Sequence, residues 1–199
     1  MLTASEKNGF ELIPEGVYIA TCVWVIDMGL QWSDFYKRSS QKVLITWEIP
    51  DITIDVDGVE KPRVISKEYT LSLSEKAVLR AHLEAWRGRK FNDEELKGFS
   101  LAALVGKSCQ LQIIHNDGYA NVASIMALPK GTPQRAPVND TILLDLDEPV
   151  AKVEEKLEHL PEWIVNRIHK SESYTNLYAK NVDGTASSFE EVDAEDLPF

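Results

Sequence analysis

The stretch Val64-Ile-Ser-Lys-Glu-Tyr-Thr-Leu-Ser-Leu-Ser-Glu-Lys-Ala-Val-Leu-Arg-Ala-His-Leu-Glu-Ala-Trp-Arg-Gly88 decides the fold class, because a strand and a helix follow one another within it. Val64 to Leu73 reads as a strand. Ser74 suits a helix N-cap, Ala77, Leu79, Leu83 and Trp86 recur at helical spacing, and Gly88 is the stop. On its N-terminal side lie two further strands. Val17 to Ile26 is β-branched, aromatic and apolar on both faces, as the first strand of a closed barrel would be, and it follows a Glu15-Gly16 turn. Val43 to Ile49 alternates Val43, Ile45, Trp47 and Ile49, which assigns Trp47 to the core, and it ends at Pro50. Met28 to Lys42, polar with embedded aromatics, reads as a long loop between them. Asp57-Gly58 is a hairpin turn, and Ile52, Ile54 and Val56 extend the flanking strands into a ribbon.

On the C-terminal side, a second short helix is expected over Asp93 to Leu104. Two more strands follow, Lys107 to His115 and Tyr119 to Leu128, joined by a tight Asn116-Asp117-Gly118 turn. Three strands, a helix and two strands make a mainly β chain with helices, of class α+β. The same order belongs to the OB-fold, a five-stranded Greek-key barrel with a helix between strands three and four. A generic α+β domain shares that order.

With 199 residues, 44% of them hydrophobic, the chain suffices for one sizeable core and an appendage. The expected division is an OB-type domain over residues 10–150, a helical appendage over 151–182 and an acidic tail over 183–199. Pro129, Pro133, Pro137 and Pro149 mark a linker-like stretch that still holds the apolar run Ile142 to Leu146. Leu160 to His169 suits a short amphipathic helix, started by Pro161 and Glu162 and burying Ile164, Val165 and Ile168. From Asp183 onward there are six acids and no Lys or Arg, a composition that predicts disorder. Cys22 and Cys109 stand far apart in apolar runs, without the spacing of a disulfide framework or a zinc knuckle, so both are expected in the core. The polar stretch from Met1 to Gly9 is unlike a signal peptide, and no apolar run approaches the ~20 residues of a membrane span. A cytoplasmic protein is expected.

A formal net charge of -11 argues against nucleic acid only as an average. Residues 1–140 hold 16 Lys and Arg against 18 Asp and Glu, whereas residues 141–199 hold 5 against 14. The excess is C-terminal, as in a solvated interaction tail.

Two stretches resemble the single-stranded DNA-binding proteins carried by tailed bacteriophages. One runs from Ser66-Lys-Glu-Tyr-Thr-Leu-Ser-Leu-Ser-Glu-Lys76 through Leu83-Glu-Ala-Trp-Arg-Gly-Arg-Lys90 to Glu94-Glu-Leu96. The other is Gly118-Tyr-Ala-Asn-Val-Ala-Ser-Ile-Met-Ala-Leu-Pro-Lys-Gly131. With Ile13-Pro-Glu-Gly-Val-Tyr18, the resemblance extends over roughly Phe10 to Pro149. It implies an OB-fold, single-strand binding and a role in DNA replication or recombination. Separately, the terminus Asp193, Ala194, Glu195, Asp196, Leu197, Pro198 and Phe199 resembles the acidic tip of bacterial single-stranded DNA-binding proteins, with Leu197 in place of the usual Ile. The resemblance implies that replication or recombination proteins dock there. Phe199 would fill an apolar pocket while its carboxylate and the nearby acids meet basic residues.

Sequence-tolerant binding of a single strand needs aromatic faces for bases and cations for phosphates. Trp32, Phe35, Tyr36, Lys37, Arg38 and Lys42 supply both in one segment, at a position from which OB-folds reach their ligand. As a structural alternative, one or two of these rings tuck beneath the loop. Arg87, Arg89 and Lys90 form the densest basic cluster, equally suited to complementing the dipole of the preceding helix. Arg63, Lys67 and Tyr69 lie on or beside the third strand and share its expected binding face. Tyr119, beside a hairpin turn, suits a base platform or a barrel lid.

Enzymatic motifs are missing from the sequence: no phosphate-binding Gly-x-x-x-x-Gly-Lys loop, no Gly-x-Ser-x-Gly elbow and no His-x-x-x-His pair. The acids Asp51, Asp55, Asp57 and Glu60 lack EF-hand spacing. The expectation is a non-enzymatic binder without cofactor or metal. A protein-docking module is the rival reading, and a metal-dependent single-strand nuclease the third.

Overall fold

A computed structural model describes residues 11–186 of the chain. Among them the element order is β1 (Gly16–Ser33), β2 (Arg38–Val56), β3 (Val59–Thr70), α1 (Val78–Arg87), α2 (Asp93–Lys97), a 3₁₀ turn (Leu101–Leu104), β4 (Ser108–Asn116), β5 (Tyr119–Met126), β6 (Ile142–Leu144), α3 (Val150–Leu157), α4 (Glu162–His169) and α5 (Glu172–Ala186). The class is α+β, with α1 between the third and fourth strands as the sequence predicts. The hydrogen-bonded sheet order is β3-β2-β1-β4-β5, with β6 added beside β1. β1 pairs antiparallel with β4, and β4 with β5. The expected closed barrel is not closed: β3 and β5 end the hydrogen-bonded path.

The residues gather into two compact units, and β1 and β2 run from one into the other. One unit takes in the chain up to Val25 and Leu44–Leu143, and the other Ile26–Val43 and the chain from Leu144 onward.

In the first unit, Ile45, Trp47 and Ile49 point to a core that also holds Leu79, Leu83 and Trp86 of α1 and Leu111 and Ile113 of β4. Trp47 and Trp86 pack with ring centroids 5.9 Å apart, so the assignment of Trp47 to the core is borne out. Cys22 and Cys109 are also fully buried and unbridged, and burial pushes the Cys22 thiol up to about 12. β2 runs straight through Pro50. A proline's fixed φ is tolerated in a strand at the loss of one ladder hydrogen bond, and it marks the point where continuous burial gives way to the half-exposed ribbon. Asp57 and Gly58 form the predicted turn, both left-handed at φ 55° and 81°. The N-terminus of α1 is a correction. Ser74 heads a preceding turn and Ala77 is the cap, while Gly88 ends the helix at φ 66° as expected, with its N–H and that of Arg89 donating to Ala85 and Glu84 carbonyls.

The second unit overturns the reading of Met28 to Lys42 as a loop. β1 continues to Ser33 and β2 begins at Arg38, so the segment is a hairpin with a tight turn. Its polar residues hide strand pairing because their partners lie far along the chain. Leu30 N–H donates to Ser173 Oγ, Gln31 Nε2 to the Arg167 carbonyl, and Ser39 Oγ to the Glu172 carboxylate. The helix predicted near Leu160 is α4, with Ile164 and Ile168 buried and Val165 half-buried. α5 extends to Ala186, so Asp183 to Ala186 is helical instead of disordered. The remainder of the expected tail lies outside the described residues. No described helix is long and apolar enough to cross a membrane.

Candidate nucleic-acid interface

The β1–β2 hairpin places Trp32, Phe35, Tyr36, Lys37 and Arg38 together at its tip. All three rings are exposed, Phe35 to 87%, so none of them tucks beneath the turn. Local chemistry holds them in place. Trp32 Nε1 donates to Asp34 Oδ1 at 3.1 Å, Tyr36 N–H to Ser33 Oγ at 3.3 Å, and Phe35 and Tyr36 meet edge to face at 4.9 Å. The Arg38 guanidinium lies 5.8 Å from the Tyr36 ring centroid. Lys37 closes the turn at φ 48°, a left-handed conformation that costs a non-glycine residue about 1 kcal/mol or more. Its ammonium is 3.8 Å from Asp34, an exposed pair of little strength that an anion can displace. Lys42, further down the hairpin, is half-buried.

Exposed aromatics beside cations, held by short-range hydrogen bonds, can stack unpaired bases and meet the phosphates between them. No family model, curated protein or solved structure matches this chain. The reading of this surface therefore rests on its own chemistry.

The predicted residues of the first unit divide. Tyr119 is 71% exposed beside the β4–β5 turn, where Asp117 and Gly118 adopt φ 51° and 79°. Asn121 Nδ2 braces this turn by donating to the Tyr119 carbonyl at 2.9 Å. Tyr69, by contrast, is a correction: it is buried, with its hydroxyl against His82, and cannot offer a face to a base. Lys67 is half-buried and donates to the Val122 carbonyl of β5 at 2.7 Å, so it joins β3 to β5. Burial pushes its pKa down. The Arg63 guanidinium donates to the Glu11 carbonyl.

The basic cluster after α1 is also mostly structural. Arg87 and Arg89 both pair with Glu95, whose carboxyl is held down at about 2 by Arg89, the Asn92 backbone and Arg87. Arg87 lies over the rings of Phe91 and Phe99 at 4.3 and 5.1 Å and has only 14% of its side chain exposed. Neither the dipole role nor a phosphate role anticipated this acid. Glu95 also completes a capping box with Asn92 at the start of α2, a pattern legible in Asn92-Asp-Glu-Glu95. Lys90 is exposed.

One residue escaped the sequence reading altogether. Glu48 of β2 is fully buried, and its carboxylate accepts from the Val138 and Asn139 N–H groups and from Asn139 Nδ2, all at 2.8–2.9 Å. It ties down the proline-rich stretch between β5 and β6. Its only signal was an acid between Trp47 and Ile49 in an apolar run. Asp193, Glu195, Asp196, Leu197, Pro198 and Phe199 lie outside the described residues. Among the described residues, no group of three or more His, Cys, Asp and Glu side chains could hold a metal ion.

Proposed function

We propose that the chain binds single-stranded DNA without sequence preference, as phage-type replication and recombination proteins do, and that residues 193–199 recruit a partner protein. The observation that carries this is the hairpin tip, where three exposed rings, Trp32, Phe35 and Tyr36, are followed directly by the cations Lys37 and Arg38 in one braced turn. Proteins do not expose such a cluster without a use. The sheet order supports an OB-type barrel opened between β3 and β5, since Lys67 spans those two strands and α1 packs beside them. In that reading the β1–β2 hairpin is one of the loops from which OB-folds bind oligonucleotides.

The protein-docking alternative draws on a different observation: Val56 and Val59 are exposed on a ribbon whose other residues include Asp51, Asp55, Asp57 and Glu60. Such a surface repels phosphate and suits a protein.

Tryptophan fluorescence titration with oligo-dT, beside a duplex of equal length and at two salt concentrations, tests the proposal. Quenching by the single strand alone, weakening as salt rises, is the expected result. Silence with both ligands would overturn it in favour of the docking module.

A further inference from the structure

The helix that anchors the hairpin has an outward face of its own. Trp163, Arg167 and Lys170 stand at i, i+4 and i+7, within an arc of about 60° at 100° per residue, and Asn166 lies beside them. All four are exposed, while Ile164 and Ile168 on the opposite side are fully buried. Trp163 is 54% exposed, which is unusual for so large a ring. Its neighbours on the face are not the further apolar anchors that a helix-in-groove protein contact requires; they are cations.

These cations stand out against their surroundings. Residues 141–199 hold 5 Lys and Arg against 14 Asp and Glu, yet two of the five project from this one face. An indole with a guanidinium and an ammonium one and two turns on repeats the chemistry of the hairpin tip.

α4 and the tip belong to the same compact unit and share an anchor. Gln31, the residue before Trp32, donates through Nε2 to the Arg167 carbonyl at 2.9 Å. One residue earlier, Leu30 N–H donates to Ser173 Oγ at 2.9 Å, and across the hairpin Ser39 bonds to Glu172. The hairpin arm is thus fastened to the α4–α5 corner along both its strands.

We propose that the Trp163–Arg167–Lys170 face of α4 is a second contact for single-stranded nucleic acid, extending the surface of the hairpin tip. The proposal rests on the reading of that tip as a nucleic-acid contact. Stacking on Trp163 and phosphate pairing with Arg167 and Lys170 would lengthen the bound segment beyond the hairpin tip.

The test uses the full chain and a dT oligomer of about 30 nucleotides, longer than a single OB-fold occupies. R167A/K170A should weaken binding and lower the salt slope by about 1.4, two phosphates at about 0.7 each. W163A should weaken binding about 5-fold or more while leaving that slope unchanged. R167K/K170R should restore the slope, which separates phosphate contact from damage to the helix. If Y36A weakens binding while all α4 variants match the parent, or if the conservative pair fails to restore the slope, the α4 contact is overturned and the hairpin reading stands. If the unaltered chain binds no oligomer, both are overturned together.

Discussion

The Tyr69 hydroxyl on β3 lies 2.9 Å from His82 Nδ1 on α1, with the two rings edge to face at 5.6 Å. Strand and helix are joined by a part-buried bond, made by a tyrosine that sequence spacing alone would have assigned to a surface. Tyr69→Phe should therefore cost about 1 kcal/mol in urea unfolding and leave oligo-dT affinity unchanged. Burial, with the charge of Lys67 nearby, lowers the His82 pKa from its ordinary 6.5. The unfolded chain takes up this proton more readily, so stability is complete above 6.5 and declines as pH falls below it. His82→Gln should flatten that decline in a pH series of urea midpoints.

Glu48 offers a second stability test. Glu48→Ala leaves the N–H groups of Val138 and Asn139 without their acceptor, and a loss of about 1–3 kcal/mol is expected, because a buried donor left unsatisfied carries its full desolvation cost. Amide exchange at Val138 and Asn139 should accelerate before global unfolding. Unchanged protection there would rule out the tether.

Two glycines with similar backbone angles should respond differently to alanine. Gly29 and Gly58 have φ of 72° and 81°, so each substitution incurs left-handed strain of about 1 kcal/mol. A Cβ on Gly29 would also lie 2.7 Å from Ser171 Cβ, whereas at Gly58 nothing lies within 4 Å. Gly29→Ala should be the more destabilising, and thermal melts of the two variants decide the point.

Arg87→Ala should cost stability, about 1–3 kcal/mol, and not DNA affinity, because the guanidinium is stacked over Phe91 and Phe99 and paired with Glu95. The Glu95 carboxyl, held at about 2 against an ordinary 4.5, supplies stability that is full above 4.5 and is lost as pH falls from there toward 2. Glu95→Gln should remove this acid-side dependence from the unfolding profile.

At the hairpin tip, Phe35→Ala and Tyr36→Ala should each weaken oligo-dT binding about 5- to 150-fold, the range of about 1–3 kcal/mol per stacked base. Neither should shift the melting temperature, as both rings are exposed. Tyr69→Ala, by contrast, should unfold the protein more easily without a specific binding defect.

What the chain's own sequence determined is its local grammar. The turns at Asp57-Gly58 and Asp117-Gly118, the stop at Gly88, the apolar run that holds Trp47 and the apolar face of α4 all follow from periods and backbone preferences acting within a few residues. The clustering of aromatics and cations between residues 32 and 38 was equally legible, because neighbours in sequence must be neighbours in space. Tertiary structure decided everything that depends on a distant partner. The supposed loop from Met28 became paired strand bonded to residues from Arg167 onward, Tyr69 turned inward to His82, Arg87 was taken up by Glu95 and two phenylalanines, and Glu48 found its donors at Val138 and Asn139. A polar side chain can be satisfied by water or by protein, and nothing local distinguishes the two until the fold brings a specific donor or acceptor within 3 Å or so.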